Sequence, residues 1–345
     1  MKKNNLFPLL FAIAILLAVS LGCRSLSDRI RENLEPDPPP VAGADPSNGS
    51  APASGSSASE IENLSKKSNL YISKCVNQYS NSIMLSYGRY RSWLKDPKAG
   101  PTGKERLVYG LYEVRGDGSD CEAAITEANA SEPDMPEVEQ AADKYLPALK
   151  EAAAQVRSIY AYYDQEDYKD DGFEKGRAAH PSLIAAFEAF ETANREFTAE
   201  VDSLEDAVAE QRLEEYRNDP SKKFAFTVTD FNIKAKKAMN YISRSEYSSL
   251  SADTIQSHAE EVEAAAALMK DAATDKTFAT SYFSAADNFV KATKDLMRRV
   301  RDKKPFNSTE RGWLGTPAGW MVEGSPDKVV HEYNSLVRSR SFLRY

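Results

Sequence analysis

An all-α fold, an elongated bundle of about six long helices, is the class this sequence predicts. Three observations lead to it. Apolar residues recur at threes and fours over most of the chain from residue 60, the spacing that stacks side chains on one helix face. Convincing apolar/polar alternation of the kind that makes a strand is missing. Proline and glycine punctuate the chain between the periodic segments rather than within most of them. With 41% hydrophobic residues in 345, the chain can bury a substantial core.

The N-terminus has another character. Lys2 and Lys3 are followed by an uncharged, mostly apolar run over residues 6–21, then Gly22 and Cys23. That layout is a secretory signal, and the run is short for a membrane span of about 20 apolar residues. Ser20, Leu21, Gly22 and Cys23 resemble a lipobox, with Ser20 where leucine is usual. Residues 1–22 are therefore expected to be a lipoprotein signal peptide, with lipid attached at Cys23. Residues 23–59 follow as a tether dominated, from residue 35, by Pro, Ser, Gly and Ala. Such a composition buries too little apolar surface to offset its ordering entropy, so disorder is expected. A random coil of about 25 residues spans roughly 25–30 Å.

Residues 60–345 are expected as one helical domain. Ile61, Leu64, Tyr71, Cys75, Tyr79, Ile83, Tyr87, Tyr90 and Leu94 mark a first helix ending near Asp96 and Pro97. Residues 98–136 are irregular and glycine-rich, with room for short elements at 107–114 and 121–128. A second helix over 137–165 carries Val138, Ala142, Tyr145, Leu149, Ala152, Val156, Ile159 and Tyr163, with Pro147 expected to kink it. A third is expected to begin at His180 and Pro181, with Ile184, Phe187, Phe190, Phe197, Val201, Leu204 and Val208 near heptad spacing. After Pro220, a fourth stripe runs from Phe224 to Ile242. A fifth helix is expected over 251–273, and a sixth over 275–301 with Phe278, Tyr282, Phe289, Leu296 and Val300. A short helix closes the chain at 327–337.

Cleavage after residue 22 removes two lysines and no acid, taking the net charge from −8 to −10. So acidic a chain is a poor match for nucleic acid, which needs clustered Lys and Arg. Beyond Cys23 only Cys75 and Cys121 remain. In an oxidising envelope compartment such a pair is compatible with one disulfide; the alternative is two half-buried thiols.

Catalytic signatures fail one by one. Residues 100–105 have the look of a phosphate loop, but Lys98 stands where its first glycine belongs and Glu105 where Ser or Thr would hold magnesium. No Gly-x-Ser-x-Gly elbow and no zinc helix is present. Arg177, Ile255 and Lys328 stand three before the histidines, so the Glu-x-x-His pairs of a di-iron bundle are missing. His258 and Glu261 share a helix face with no second histidine nearby. The most unusual surface segment is YYDQEDYKDDGFEKGRAAHP, residues 162–181, which concentrates carboxylates among aromatics between two helices. Read as a calcium loop from Asp167, it puts Lys169 and Ala178 at ligand positions and fails. Asp164, Asp167, Tyr168, Asp170, Asp171 and His180 are taken as a candidate binding surface on a solvated acidic hairpin whose aromatics pack onto the bundle. Its carboxylates repel one another, so neutralising Asp167, Asp170 and Asp171 together is expected to leave the fold intact.

The segment YYDQEDYKDDGFEKGRAAHPSLIAAFEAF, the tyrosine-rich first helix around Cys75 and the following GPTGKE resemble the YiiG-like family of bacterial lipoproteins, over most of the chain from about residue 65. The resemblance implies a helical envelope lipoprotein of unknown activity and transfers no catalytic residue, cofactor or metal ligand. The expected function is thus a binding or structural module, held at the membrane through Cys23 and meeting an envelope protein or small ligand. The alternative is a cation- or small-ligand-binding protein, or a hydrolase using residues 167–171 and His180. Arg24 stands where an aspartate would retain a lipoprotein at the inner membrane, so in a host with two membranes the resemblance to sorted lipoproteins implies the outer membrane, facing the periplasm.

Overall fold

Tyr71, Cys75, Tyr79, Ile83 and Tyr87 are spaced by four throughout. An α-helix turns about 100° per residue, so a step of four overshoots a full turn by about 40° and would carry the stripe around the helix. A π-wound stretch, with its wider i→i+5 turn, drifts the other way. The computed structural model describes residues 54–345 apart from 275–278, 317, 341–342 and 344–345. In it, helix α1 (Ser54–Leu70) passes into a π-helical stretch (Tyr71–Ser80) and then into α2 (Asn81–Ser92), and all five residues are buried. The two windings offset one another and hold the stripe on one side.

The expected signal peptide, Cys23 and the expected tether up to residue 53 lie outside the described residues, as do Asp275 and Phe278. Helix α1 begins at Ser54, inside the segment expected to be disordered. The last proline is Pro52, so nothing beyond it bars a helix.

Helix α3 (Ser119–Asn129) follows, then α4 (Pro136–Asp164), a 3₁₀ turn (Asp167–Lys169) and α5 (Glu174–Arg217). Helix α4 runs through Pro147 as one element. Helix α5 starts six residues before the expected His180, so Pro181 lies inside it. The carbonyl left without the missing amide of residue 181 is that of Arg177, an exposed residue. The short element expected at 107–114 does not form. Its carbonyls are taken by side chains instead: Ser86 Oγ donates to Tyr112 O at 3.0 Å and Trp93 Nε1 to Gly110 O at 3.1 Å. Among the described residues there is no strand.

As far as Val208, which lies within α5, these helices belong to one compact unit. Its core is aromatic: Tyr145 packs on Phe190 and Phe197, Tyr71 on Phe197 and Tyr87 on Phe187, so α4 and α5 clasp the first long helix. Buried hydroxyls find partners, Tyr71 on Asn129 Oδ1 at 2.7 Å and Tyr145 with Ser80 Oγ at 2.9 Å, which limits the desolvation cost of a tyrosine core. Lys67, fully buried, pairs with Glu139 and donates to Pro133 O at 2.8 Å.

A second compact unit takes in Ala209–Tyr345. Helices α6 (Lys223–Arg244), α7 (Ala252–Ala272), α8 (Thr280–Arg301) and α10 (Pro326–Arg340) pack around Phe231, Ile242, Val262, Met269, Phe289 and Leu336. A short α9 (Ser308–Trp313) is capped by Asn307 and Glu310, whose carboxylate also takes both Nη atoms of buried Arg299. The single domain expected over 60–345 therefore contains two groupings of helices.

Candidate functional site

The hairpin between α4 and α5 turns on three left-handed residues, Glu166 (φ 61°), Gly172 (φ 57°) and Phe173 (φ 68°). Its aromatics fold inward as expected: Tyr162, Tyr163, Tyr168 and Phe173 are all buried, with Tyr168 and Phe173 stacked at 4.8 Å. Its carboxylates have separate duties. Asp164 accepts from Tyr160 Oη at 3.3 Å, and Glu166 pairs with Lys169. Asp167 and Asp170 are exposed. Asp171 accepts from Tyr162 Oη at 2.8 Å and from the Lys175 amide at 2.9 Å, tying the start of α5 to the end of α4. Desolvation pushes its pKa up, but the Lys175 amide, the Tyr162 hydroxyl and the amides of Phe173 and Glu174 outweigh it and hold the carboxyl below the usual aspartate range. Asp171 is thus a structural cap, set apart from Asp167 and Asp170, with which it was grouped on sequence alone.

Asp171→Asn is accordingly expected to lower the melting temperature at pH 7, while Asp167→Asn and Asp170→Asn leave it unchanged. A depressed folded-state pKa means stability present above the unfolded value and lost as pH falls through the folded one, so the gap from wild type should close as the pH drops below 3.8. Melts of the three variants at neutral and acid pH check both points. Equal melting of all three at pH 7 would remove Asp171 from its structural role.

His180 is drawn away from those carboxylates. It is buried, its Nδ1 lies 2.9 Å from Tyr90 Oη, and its Nε2 meets no hydrogen-bond partner. Burial pushes its pKa below the usual histidine value, against the opposing pull of the Lys98 and Pro97 backbone and of Asp96. Gly100 (φ 80°) lies flat on the ring, where a Cβ would come within 2.5 Å of it. Next to it, Glu105 accepts from the amides of Thr102 and Gly103 at 2.7 and 2.8 Å and from Thr102 Oγ1 at 2.8 Å. Desolvation raises the Glu105 pKa, and those hydrogen bonds more than reverse it. The loop that looks like a phosphate cradle is filled by its own carboxylate. Among the described residues no three His, Cys, Asp or Glu side chains converge to hold a metal.

Cys75 and Cys121 are joined in a disulfide, Cα–Cα 4.8 Å, linking the π-helical stretch to α3. Beside it opens a cleft of about 560 Å³ lined by Gln78, Ser82, Tyr112, Glu113, Arg115 and Tyr160. Sequence reading missed these residues. Tyr112 and its neighbours lie in the irregular stretch that left room for a short element, and the only hint was that Gly110 and Gly116 bracket them.

A family model described as "Protein of unknown function (DUF3829)" matches residues 62–341. The chain belongs to this family. Its range takes in the hairpin, the disulfide and the cleft, and begins well after Cys23. Within DUF3829 terms, the chain is similar to "Uncharacterized protein YiiG" of Escherichia coli (strain K12), at 31% identity over 282 residues, covering 81% of this chain and 79% of that protein. No solved structure matches. The resemblance to YiiG-like proteins read from the hairpin and the first helix is thereby shown, for a family of unknown function.

Proposed function

We propose that the protein is a helical binding module of the bacterial cell envelope, held at the membrane by lipid on Cys23. The observation that carries this reading is the order Lys2, Lys3, a 16-residue uncharged run, Gly22 and Cys23, followed by a stretch rich in Pro and Ser that gives the module reach. The Cys75–Cys121 bridge supports it, since disulfides persist in oxidising compartments. Arg24, in place of an aspartate, favours the outer membrane and a periplasmic module. His180, bonded to Tyr90 and shielded by Gly100, offers no exposed base to the hairpin carboxylates, which favours binding over hydrolysis. Cells fed a clickable fatty acid are expected to label the wild-type protein and not Cys23→Ala. Equal labelling of the two would overturn the anchor.

A further inference from the structure

The cleft beside the disulfide is built to be stiff. Gln78 is set by the π-helical stretch, and π-wound segments gather at functional sites. Its amide nitrogen is held by Tyr79 Oη at 3.3 Å and Asp120 Oδ2 at 3.2 Å. The Cys75–Cys121 bridge ties together the two elements that carry this contact. Gly116 (φ 83°) lets the loop press onto the helix, since a Cβ there would come 2.5 Å from Tyr79 Oη. Arg157 Nη1 donates to the Gly116 carbonyl. Tyr112 is fixed through its carbonyl by Ser86 and through its ring by the Arg89 guanidinium, 4.3 Å from the centroid, yet the residue stays 47% exposed. Tyr160, across the cleft lining, is held by its bond to Asp164. A site whose side chains are already fixed loses little entropy when it is occupied.

The chemistry of the walls narrows the occupant. Tyr160 and the face of Tyr112 turned away from Arg89 carry a negative quadrupole, which attracts the weakly positive C–H groups of a saturated ring. Gln78, Ser82 and Glu113 supply donors and acceptors in the same space. Arg115 pairs with Glu113 at 3.1 Å, so the charged side chains that line the cleft sum to zero. Purely apolar ligands would leave those polar groups unmet. The volume falls within the range of about 300–1,000 Å³ usual for small-ligand sites.

We propose that this cleft binds an uncharged glycan chain, with sugar rings on Tyr112 and Tyr160 and their hydroxyls on Gln78, Ser82 and Glu113. The inference rests on the binding-module reading above and is independent of the anchor. The test is titration of the full chain, kept in a detergent without a sugar headgroup, with the N-acetylglucosamine tetramer, with cellotetraose and with tetra-alanine, read by calorimetry and saturation-transfer NMR. Saturable binding of at least one of the two sugars is expected. Tyr112→Ala should weaken it by about tenfold or more, equivalent to about 1.4 kcal/mol, Tyr112→Phe should retain it, and Tyr247→Ala, an exposed tyrosine in the other compact unit, should leave it unchanged. No saturable binding of either sugar, or sugar binding indifferent to both Tyr112→Ala and Tyr160→Ala, would overturn the proposal. So would binding of tetra-alanine alone, which would make the cleft a peptide site. A chain lipidated at Cys23 that ignores both sugars refutes the cleft assignment and leaves the anchor standing, and sugar binding by an unlipidated chain does the reverse.

Discussion

Glu139→Ala is expected to destabilise the protein by about 3–5 kcal/mol, the usual cost of stranding one member of a buried ion pair. The Lys67 side chain is wholly removed from solvent, and without Glu139 its ammonium keeps only the Pro133 carbonyl. Glu139 also accepts from the Met135 amide at 2.9 Å, so Glu139→Gln, which retains an acceptor there, should cost less. The decisive comparison is the double variant Lys67→Met, Glu139→Leu, which removes both charges. It is expected to recover most of the loss, because the penalty lies in the unpaired charge rather than in the missing contact. Urea denaturation of the set reads these differences, and a double variant no more stable than Glu139→Ala would refute the account.

Phe187→Ala is expected to cost a similar amount, about 3–5 kcal/mol, by a different route. The ring is fully buried on α5 and stacked on Tyr87 of α2 at 4.8 Å and 21°. Truncation removes apolar area and leaves a cavity that two long helices cannot both move to fill. Phe187→Leu, closer in volume, should cost about 1.5 kcal/mol or less. If alanine and leucine prove equally tolerated, the two helices do not meet there.

Periodic burial is what made the helices legible. Stripes such as Val138 to Tyr163 and Ile184 to Val208 put apolar residues where a helix buries them, and the helices formed there. The same pattern also marked Lys67 without its being noticed. The first stripe jumps from Leu64 to Tyr71, and positions 67 and 68 fill that gap on the buried face. A lysine in such a gap is legible only if its counter-charge is known, and Glu139 lies 72 residues away. Residues 107–114 misled for a related reason. Their apolar residues left room for a short element, but their carbonyls are claimed by side chains of α2 and the residue after it, a long-range arrangement that no local pattern records. The acidic hairpin was visible as a composition, whereas the division of labour within it, Asp171 capping and Asp167 exposed, depends on where Tyr162 and the amides of α5 come to rest. Cleft residues were hidden most deeply, because they come from the π-helical stretch, α2, a loop and α4 and share no spacing at all.

The Thr102–Glu105 loop has a consequence for ligand competition. Its two backbone amides and one hydroxyl face an anion tethered only two or three residues away. A tethered group acts at an effective concentration of about millimolar or higher even through a flexible link. Free phosphate in the surrounding medium competes against that standing local supply of carboxylate and, in addition, enters a chain of strongly negative net charge. The loop is therefore a lock closed by its own key: it spends its anion affinity on holding residues 100–105 in shape, and Gly100 against the ring of His180, rather than on capturing anything from solution.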